Sequence, residues 1–347
     1  MPCPAPRMRL IERVWRGEGI GATLAGASLA PLGWAFGAIV SARNALYDRG
    51  VAHVHDGAIP ALGIGNLSVG GTGKTPVAAW AAARLLDAGA RPAVVMRGYG
   101  DDEPLVHARI NPAVPVVSDA DRVRGIATAR AAGADCVILD DAFQHRRARR
   151  IADWVLVSAE QWREGQRMLP AGPLRESVGS LARAGVVLVT RKTGSVDRAE
   201  SLARSLAEHV PDGAWAVCHL APHDLVDVGN GARRPLEWLA GRRVLAIAAI
   251  GTPAPFFAQL RQRGADVTSL AYPDHHAFTT PEVAGIAERG ARFDAVLCTL
   301  KDAVKLGPLW PRATPAAWYV SQHAVVERGR PALDATIDAV LAARTAP

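Results

Sequence analysis

The fold class of this chain is decided by the stretch Gly65-Asn-Leu-Ser-Val-Gly-Gly-Thr-Gly-Lys-Thr-Pro76. It follows the apolar segment Ile59–Ile64 and precedes Val77–Leu86, which has the composition of a helix. A glycine-rich loop that leaves a strand and enters a helix with Lys-Thr is the context of a phosphate-binding loop. The strict pattern has Gly where this chain has Ser68, and an ordinary glycine-rich turn is the alternative.

The residues of this loop predict a nucleotide site with a metal ion. Glycine lets backbone N–H groups turn toward phosphate oxygens, and the helix N-terminus adds partial positive charge. Lys74 would reach the β- and γ-phosphates, and the Thr75 hydroxyl would bind Mg²⁺. The residues predicted to bind the nucleotide are Gly70, Gly71, Thr72, Gly73, Lys74 and Thr75.

Length and charge favour a globular protein with an anionic partner. The 347 residues are 49% hydrophobic and 21% charged, enough for two α/β domains with their own cores. The net charge of +7 favours nucleotides, phospholipid headgroups, phosphorylated substrates or nucleic acid as partners. The cysteines at positions 3, 136, 218 and 298 have no metal-binding spacing, so we interpret them as small buried hydrophobes.

The N-terminal region contains a stretch without charge, residues 19–42, which is about the length that crosses a bilayer. Arg7, Arg9, Arg13 and Arg16 precede it, and Arg43 and Arg49 follow it. A signal peptide, a membrane span, a helix in the membrane interface and a buried soluble helix are the alternatives. The length and the flanking arginines favour a membrane-associated helix.

Strand-like and helix-like runs alternate along the rest of the chain, which predicts a mostly parallel sheet covered by helices. The first alternation has strands at Ala61–Ile64, Ala93–Met96, Val114–Val117, Cys136–Leu139, Trp154–Val157, Val186–Thr190 and Ala214–Cys218. The second has strands at Val244–Ile250, Val267–Leu270, Ala295–Thr299 and Ala317–Val320. Ala221–Pro235, rich in Gly, Asp and Asn, is interpreted as the connection between two domains.

Several charged residues follow strands, where ligands gather in open α/β sheets. The run Val137-Ile-Leu-Asp140-Asp141 has the form of a Walker B strand, whose acid holds Mg²⁺ or its water shell. Arg97-Gly-Tyr-Gly100 and Asp101-Asp102-Glu103-Pro104 follow the second strand and are a candidate site or a charged loop. One histidine of Asp274-His275-His276 is a candidate general base, with a surface loop as the alternative.

A dense basic run, Gln144-His145-Arg-Arg-Ala-Arg-Arg150, stands beside the paired acids. It could contact a substrate phosphate or lipid headgroups, or could be a solvated surface. It lacks the interleaved aromatic residues that single-stranded nucleic acids stack upon. We therefore expect no nucleic-acid partner.

Together these motifs resemble one family, the tetraacyldisaccharide 4′-kinases of lipid A biosynthesis. The resemblance covers about residues 60–305, and Ser68 in the loop is normal for that family. It rests on the phosphate loop, Arg97–Gly100, Asp102-Glu-Pro104, Asp121-Arg122, Leu139-Asp-Asp-Ala-Phe-Gln-His145, Leu169-Pro-Ala-Gly-Pro-Leu-Arg-Glu176, Asp274-His275 and Lys301-Asp302.

The resemblance implies transfer of the ATP γ-phosphate to the 4′-hydroxyl of a lipid A disaccharide 1-phosphate, at the cytoplasmic face of the bacterial inner membrane. It implies Lys74, Asp102, His275 and Asp141 as catalytic residues, with Asp102 and His275 forming the acid–base pair. Thr75, Asp140 and Glu103 would hold Mg²⁺. The residues expected to meet the substrate are Arg97, Gln144, His145, Arg175 and Glu176.

The predicted organisation is a membrane-associated segment at 1–43, a P-loop kinase domain at 44–222 and a smaller α/β domain at 223–347. A membrane-associated P-loop ATPase or GTPase that acts as a switch, without a lipid acceptor, is the second reading. The phosphate loop and Asp140 suit that reading equally well, although no Asn-Lys-x-Asp guanine signature is present.

Overall fold

The computed structural model describes residues 10–16, 19–98, 102–311 and 315–344. Cys3, Arg7, Arg9, Asp101 and the Tyr99-Gly100 part of the Arg97 motif lie outside the described residues. The helices are α1 Leu10–Arg16, α2 Ile20–Ser28, α3 Ala30–Asp48, α4 Lys74–Asp87, α5 Asp102–Ile110, α6 Arg122–Ala131, α7 Val196–Ala207, α8 Ala254–Gln262, α9 Thr280–Gly290, α10 Leu300–Leu306 and α11 Arg330–Arg344. The strands are β1 Ala61–Asn66, β2 Pro92–Met96, β3 Val116–Ser118, β4 Cys136–Asp140, β5 Ala152–Ser158, β6 Val186–Arg191, β7 Trp215–Asp227, β8 Arg233–Pro235, β9 Arg243–Ala248, β10 Asp266–Ala271, β11 Ala295–Thr299 and β12 Ala317–Arg328.

All strands belong to one twelve-stranded sheet, in the order β10-β9-β11-β12-β7-β6-β5-β1-β4-β2-β3, with β8 paired to β7. Two sets of neighbouring strands in this sheet are each parallel. One set is β3, β2, β4, β1, β5, β6 and β7, and the other is β10, β9, β11 and β12. The two parallel sets meet at the antiparallel pair β7–β12. The predicted α/β class with a mostly parallel sheet is therefore confirmed.

The central strands have the continuous apolar sequence of strands buried on both faces. All five residues of β4 and all six of β1 are buried, and helices α4 and α11 pack over them. Cys136, Cys218 and Cys298 are free thiols within these buried strands, as expected. Burial raises the pKa of the Cys136 thiol to about 12, because a thiolate would lose its hydration there.

Most of the stretch Ala221–Pro235, which composition indicated as the connection between two domains, forms strand. β7 continues to Asp227 and buries Leu225 and Val226. Burial of these two apolar side chains favours a strand, although the polar residues around them are typical of a loop. The turn comes only at Gly229-Asn230, where the Asp227 carboxylate accepts both backbone N–H groups, and β8 then returns against β7. The sheet thus runs without interruption between the two halves, and the division into domains remains a prediction.

The N-terminal region forms α1, α2 and α3. Among the described residues no single helix is both long and apolar enough to cross a membrane, but Gly21–Ser28 with Ala30–Asp48, a pair bent by 42°, meets the length and composition criteria. These helices expose large apolar side chains, with Trp34 74% and Ile39 69% exposed. They are attached to the rest of the protein by contacts such as the Trp15 indole N–H to the Pro170 carbonyl at 2.9 Å.

Candidate active site

The glycine-rich loop adopts the shape that a phosphate-binding loop needs. Gly73 has φ of +86°, and a Cβ there would lie 2.3 Å from Leu220 Cδ1, so this position requires glycine. The loop is braced by the Asn66 amide, which donates to Thr72 Oγ1 at 3.1 Å, and by the Thr190 hydroxyl, which donates to the Thr72 carbonyl at 2.8 Å. The loop is therefore held in place before any nucleotide binds.

Helix α4 begins directly after this loop, at Lys74. Among the described residues no side chain caps its N-terminus, and its first turn contains no acid. Its first N–H groups have no partner within the helix and carry partial positive charge. The end of the helix is thus available to an anion.

Asp141 pairs with the two cations that face this loop. Lys74 Nζ lies 3.3 Å from Asp141 Oδ1, and Arg175 Nη1 lies 3.0 and 3.1 Å from the two carboxylate oxygens. Burial by itself would raise the pKa of Asp141, but the Lys74 and Arg175 charges outweigh it and lower the pKa. Asp141 therefore remains ionised. Its backbone φ is +51°, which is uncommon for a residue other than glycine.

Asp140 ends strand β4 and is 5% exposed. Its Oδ1 accepts the backbone N–H of Asp141 at 2.8 Å, and its Oδ2 lies 2.9 Å from His107 Nε2. The Arg122 guanidinium, also buried, donates to the Asp140 carbonyl at 3.1 Å. The sequence alone did not predict a role for His107, because its separation from Asp140 along the chain does not indicate that the two side chains are in contact.

The residues expected to hold Mg²⁺ supply the hard oxygen ligands that this ion prefers. Asp140 and Thr75 line the cavity beside the loop, and Glu103 lines the same cavity with its carboxylate 3.4 Å from Lys301 Nζ. No cluster of three or more His, Cys, Asp or Glu side chains arranged for a metal occurs in the part of the chain that the structure describes. Mg²⁺ with nucleotides commonly uses one or two protein oxygens plus phosphates and water, so this donor set fits the ion.

Asp102 and His275 meet beside the cavity, which His275 lines and Asp102 does not, although they follow strands in opposite halves of the sheet. Asp102 is the first residue of α5, and its Oδ2 is 3.5 Å from His275 Nδ1. The Asp102 side chain is 8% exposed and that of His275 is 50% exposed. A carboxylate held against a half-exposed imidazole is an arrangement that can accept a proton from a hydroxyl group.

The loop that carries His275 is held in its conformation by several contacts. His275 has φ of 57°, and its backbone N–H donates to the Ala249 carbonyl at 3.3 Å. The Asp302 carboxylate accepts the Ala249 N–H at 3.1 Å, and Lys305 Nζ donates to the His276 carbonyl at 3.3 Å. Asp302 and Lys305 therefore help to position the histidine, a role that the sequence of the Lys301-Asp302 motif alone did not indicate.

One cavity of about 990 Å³ connects the loop with His275 of the Asp102–His275 pair. Its lining includes the loop residues, Arg97, Arg175 and residues that follow β5, β6, β9 and β11. Lys192, which the sequence reading missed, also lines it; burial lowers the pKa of Lys192 against the opposing attraction of Glu160. Ligands of open α/β sheets bind at this carboxyl edge, next to the point where strand order reverses, here at β1.

The structure does not bring three of the expected substrate residues to the cavity lining, namely Gln144, His145 and Glu176. The Gln144 amide donates to the Asn66 carbonyl at 3.0 Å. Burial, with the Arg122 and Arg150 charges, lowers the pKa of His145 to about 4. The Gln144 side chain therefore braces the end of β1, where the loop begins, and neither side chain lines the cavity.

Glu176 is fully buried and anchors helix α3. Its carboxylate accepts hydrogen bonds from Asn44 Nδ2 at 2.8 Å and Arg183 Nη2 at 2.9 Å, and pairs with Arg43 at 3.3 Å. A buried charge needs such partners. Glu176 therefore joins the N-terminal helices to the body of the protein.

Comparisons with known proteins agree with this site. The family model described as Tetraacyldisaccharide-1-P 4′-kinase matches residues 25–342. A tetraacyldisaccharide 4′-kinase from Halorhodospira halophila is 37% identical over 326 residues, covering 88% of this chain and 90% of that protein. One from Anaeromyxobacter dehalogenans (strain 2CP-1) is 37% identical over 362 residues, covering 96% of this chain and 95% of that protein.

A solved structure gives the same result. The crystal structure of the "apo" form of LpxK from Aquifex aeolicus in complex with ATP matches with a TM-score of 0.70 and 26% identity. The match covers 91% of this chain and 99% of that chain.

Proposed function

Because the chain belongs to the tetraacyldisaccharide 4′-kinase family, we infer that it is an ATP-dependent kinase of lipid A biosynthesis. It transfers the γ-phosphate of ATP to the 4′-hydroxyl of a tetraacyldisaccharide 1-phosphate and so gives lipid IVA. The observation that carries this function is the approach of Asp102 to His275 at 3.5 Å, beside the cavity that both His275 and the phosphate loop line. A nucleotide switch without an acceptor has no need for such a pair.

On the nucleotide side, we propose that the loop residues Gly70 to Thr75 bind the phosphates of ATP. Lys74 leaves Asp141 to neutralise charge on the γ-phosphate, and Arg175 remains within reach of the same region. Asp141 is then a positioning residue for Lys74. Phosphoryl transfer depends mostly on such positioning and charge neutralisation.

On the acceptor side, we propose that the Asp102–His275 pair takes the proton of the 4′-hydroxyl. The hydroxyl oxygen forms a bond to the γ-phosphorus while the bond from that phosphorus to the bridging β–γ oxygen breaks, and ADP leaves. Asp102 and His275 come from different halves of the sheet. Catalysis therefore depends on the distance between the halves, which restrains ATP hydrolysis without acceptor.

We propose Thr75 and Asp140 as the ligands of Mg²⁺, with Glu103 able to contribute after separation from Lys301. When bound, the ion would neutralise charge on the phosphates and orient them. Oxygen ligands at the mouth of the loop support this assignment.

We also propose that α2 and α3 contact the inner membrane at its cytoplasmic face, where a lipid acceptor and cellular ATP are both accessible. Exposed apolar side chains on these helices, including Leu24, Leu32, Trp34 and Ile39, support the proposal. No nucleic-acid partner is proposed.

The test is incubation of the protein with ATP, Mg²⁺ and a tetraacyldisaccharide 1-phosphate, followed by mass spectrometry of the lipid. We expect one added phosphate, located on the 4′ position by fragmentation. Steady ATP hydrolysis without phosphorylated lipid would instead establish the switch reading.

A further inference from the structure

His107 is a buried histidine that the kinase function described above does not use. It lies on α5, is 2% exposed and does not line the cavity. Its Nε2 lies 2.9 Å from Asp140 Oδ2. An ionised carboxylate can only accept hydrogen bonds, so Nε2 carries the proton in this contact.

Through its position in α5, His107 links this helix to Asp140. Glu103 and His107 are four residues apart on a helix and so share one face. Glu103 reaches the cavity from that face, while His107 reaches Asp140 one turn further along. The helix that begins with the proposed base Asp102 is thereby attached to the carboxylate that ends β4.

Asp140 is fixed at both oxygens. The Asp141 N–H occupies one direction at Oδ1, and His107 occupies one direction at Oδ2. Each carboxylate oxygen can accept two hydrogen bonds or ligands. One lone pair on each oxygen remains available to a metal ion. The two existing hydrogen bonds fix the orientation of the carboxylate and so fix where those lone pairs point.

We propose that His107 is a positioning residue for the Mg²⁺ site, whose Nε2–H orients the Asp140 carboxylate toward the ion and holds α5 beside it. The proposal rests on the proposed function in that Asp140 is the metal ligand. Partners that orient a ligating side chain commonly change metal affinity by 10- to 100-fold when they are removed. A side chain buried for packing alone would have no such effect.

Three variants and one control separate these roles. His107→Leu removes the donor, His107→Gln places an amide N–H near the position of Nε2, and His107→Asn offers an amide too short to reach it. Ile126→Ala is the control. Ile126 is fully buried in the core that contains Leu139, so its truncation destabilises the protein without removing a hydrogen bond to Asp140.

The first measurement uses thermal melting at fixed ADP while Mg²⁺ is titrated, and gives the Mg²⁺ concentration for half of the shift. We expect that concentration to rise by about 10- to 100-fold in His107→Leu and His107→Asn. His107→Gln should restore it to within about threefold, and Ile126→Ala should melt earlier with the wild-type Mg²⁺ dependence. If His107→Leu does not fold, the comparison of His107→Gln with His107→Asn decides.

The second measurement is the initial kinase rate against Mg²⁺ at saturating ATP, with the same expected order of variants. An unchanged Mg²⁺ dependence in His107→Leu, or a His107→Gln variant as impaired as His107→Asn, would overturn the proposal. Wild-type protein that forms no phosphorylated lipid, but whose melting shift still depends on His107, would overturn the kinase function and leave the positioning role intact.

Discussion

Replacement of the proposed acid–base pair tests the mechanism most directly. Asp102→Asn and His275→Gln keep the size of each side chain and remove its ability to accept the hydroxyl proton. General-base catalysis contributes about 10²- to 10⁴-fold, so each variant should lose that factor in kcat. At 1.36 kcal/mol for each factor of ten, the loss is about 2.7–5.4 kcal/mol of transition-state stabilisation.

The geometry predicts that the two losses are not additive. Asp102 Oδ2 and His275 Nδ1 are 3.5 Å apart, so each group acts on the proton together with the other. If the groups were independent, the double variant would lose about 10⁴- to 10⁸-fold by multiplication of the single losses. Because they form one unit, we expect the double variant to be within about tenfold of the weaker single variant.

The assay is single-turnover transfer of labelled γ-phosphate to the lipid acceptor, with the KM for ATP measured separately. The KM should change little, since Lys74 and the loop are untouched. His276→Gln serves as the matched control: its ring contacts Glu282 at 3.2 Å and stacks on Tyr272, away from Asp102. Multiplicative losses, or near-wild-type kcat in either single variant, would refute the reasoning.

Other perturbations test separate parts of the structure. Lys74→Ala should abolish phosphoryl transfer with little change in melting temperature, because Lys74 forms a partly exposed ion pair; turnover by the folded variant would refute its role. Trp34→Ser combined with Ile39→Ser should lower partition into anionic liposomes at least about tenfold, since burying each side chain contributes about 1.5–3 kcal/mol; unchanged sedimentation with liposomes would exclude α3 from the membrane contact. Glu176→Gln should lower the free energy of unfolding by about 1–3 kcal/mol in urea, because it weakens the hydrogen bonds that Asn44 and the partly exposed Arg183 and Arg43 donate to the buried carboxylate; an unchanged stability with a raised KM for lipid would restore a substrate role. The pKa of His145 is about 4 in the folded protein and 6.5 is its ordinary value, so the unfolded chain binds more protons between these values and stability falls as pH drops through that window. His145→Gln should flatten that part of the stability profile in melting experiments, and an unchanged slope would contradict the assignment.

The sequence predicted the parts of the site whose residues are close to one another along the chain. The loop from Gly65 to Pro76, the acids that end β4 and the alternation of strands with helices are each readable within a few residues. The pairing of Asp102 with His275 came from resemblance to a family, since no local pattern relates residues so far apart. The structure brings these two side chains together as that resemblance implied.

Composition did not show which polar residues belong to strands or to the protein interior. The Gly-, Asp- and Asn-rich stretch before Pro235 suggested a connection, but only its Gly and Asn residues lie in the turn, and most of the rest is strand that buries Leu225 and Val226. Glu176 was expected to meet the substrate from the resemblance to the family, but its side chain is fully buried and does not line the cavity. Its actual partners lie on α3 and near residue 183, and no spacing along the chain indicates them.

The amino-acid sequence by itself determined the phosphate loop, the α/β class and the acids beside the loop, because backbone conformation and strand burial depend on neighbouring residues. Only the tertiary structure decided that the antiparallel pair β7–β12 joins two parallel sets of strands into one sheet. That junction brings His275 to Asp102, and the pairing of β2 with β4 places α5, which carries His107, beside Asp140. The physical reason is that contacts between distant residues follow from the order in which strands pair, and a strand's own sequence does not specify its neighbour.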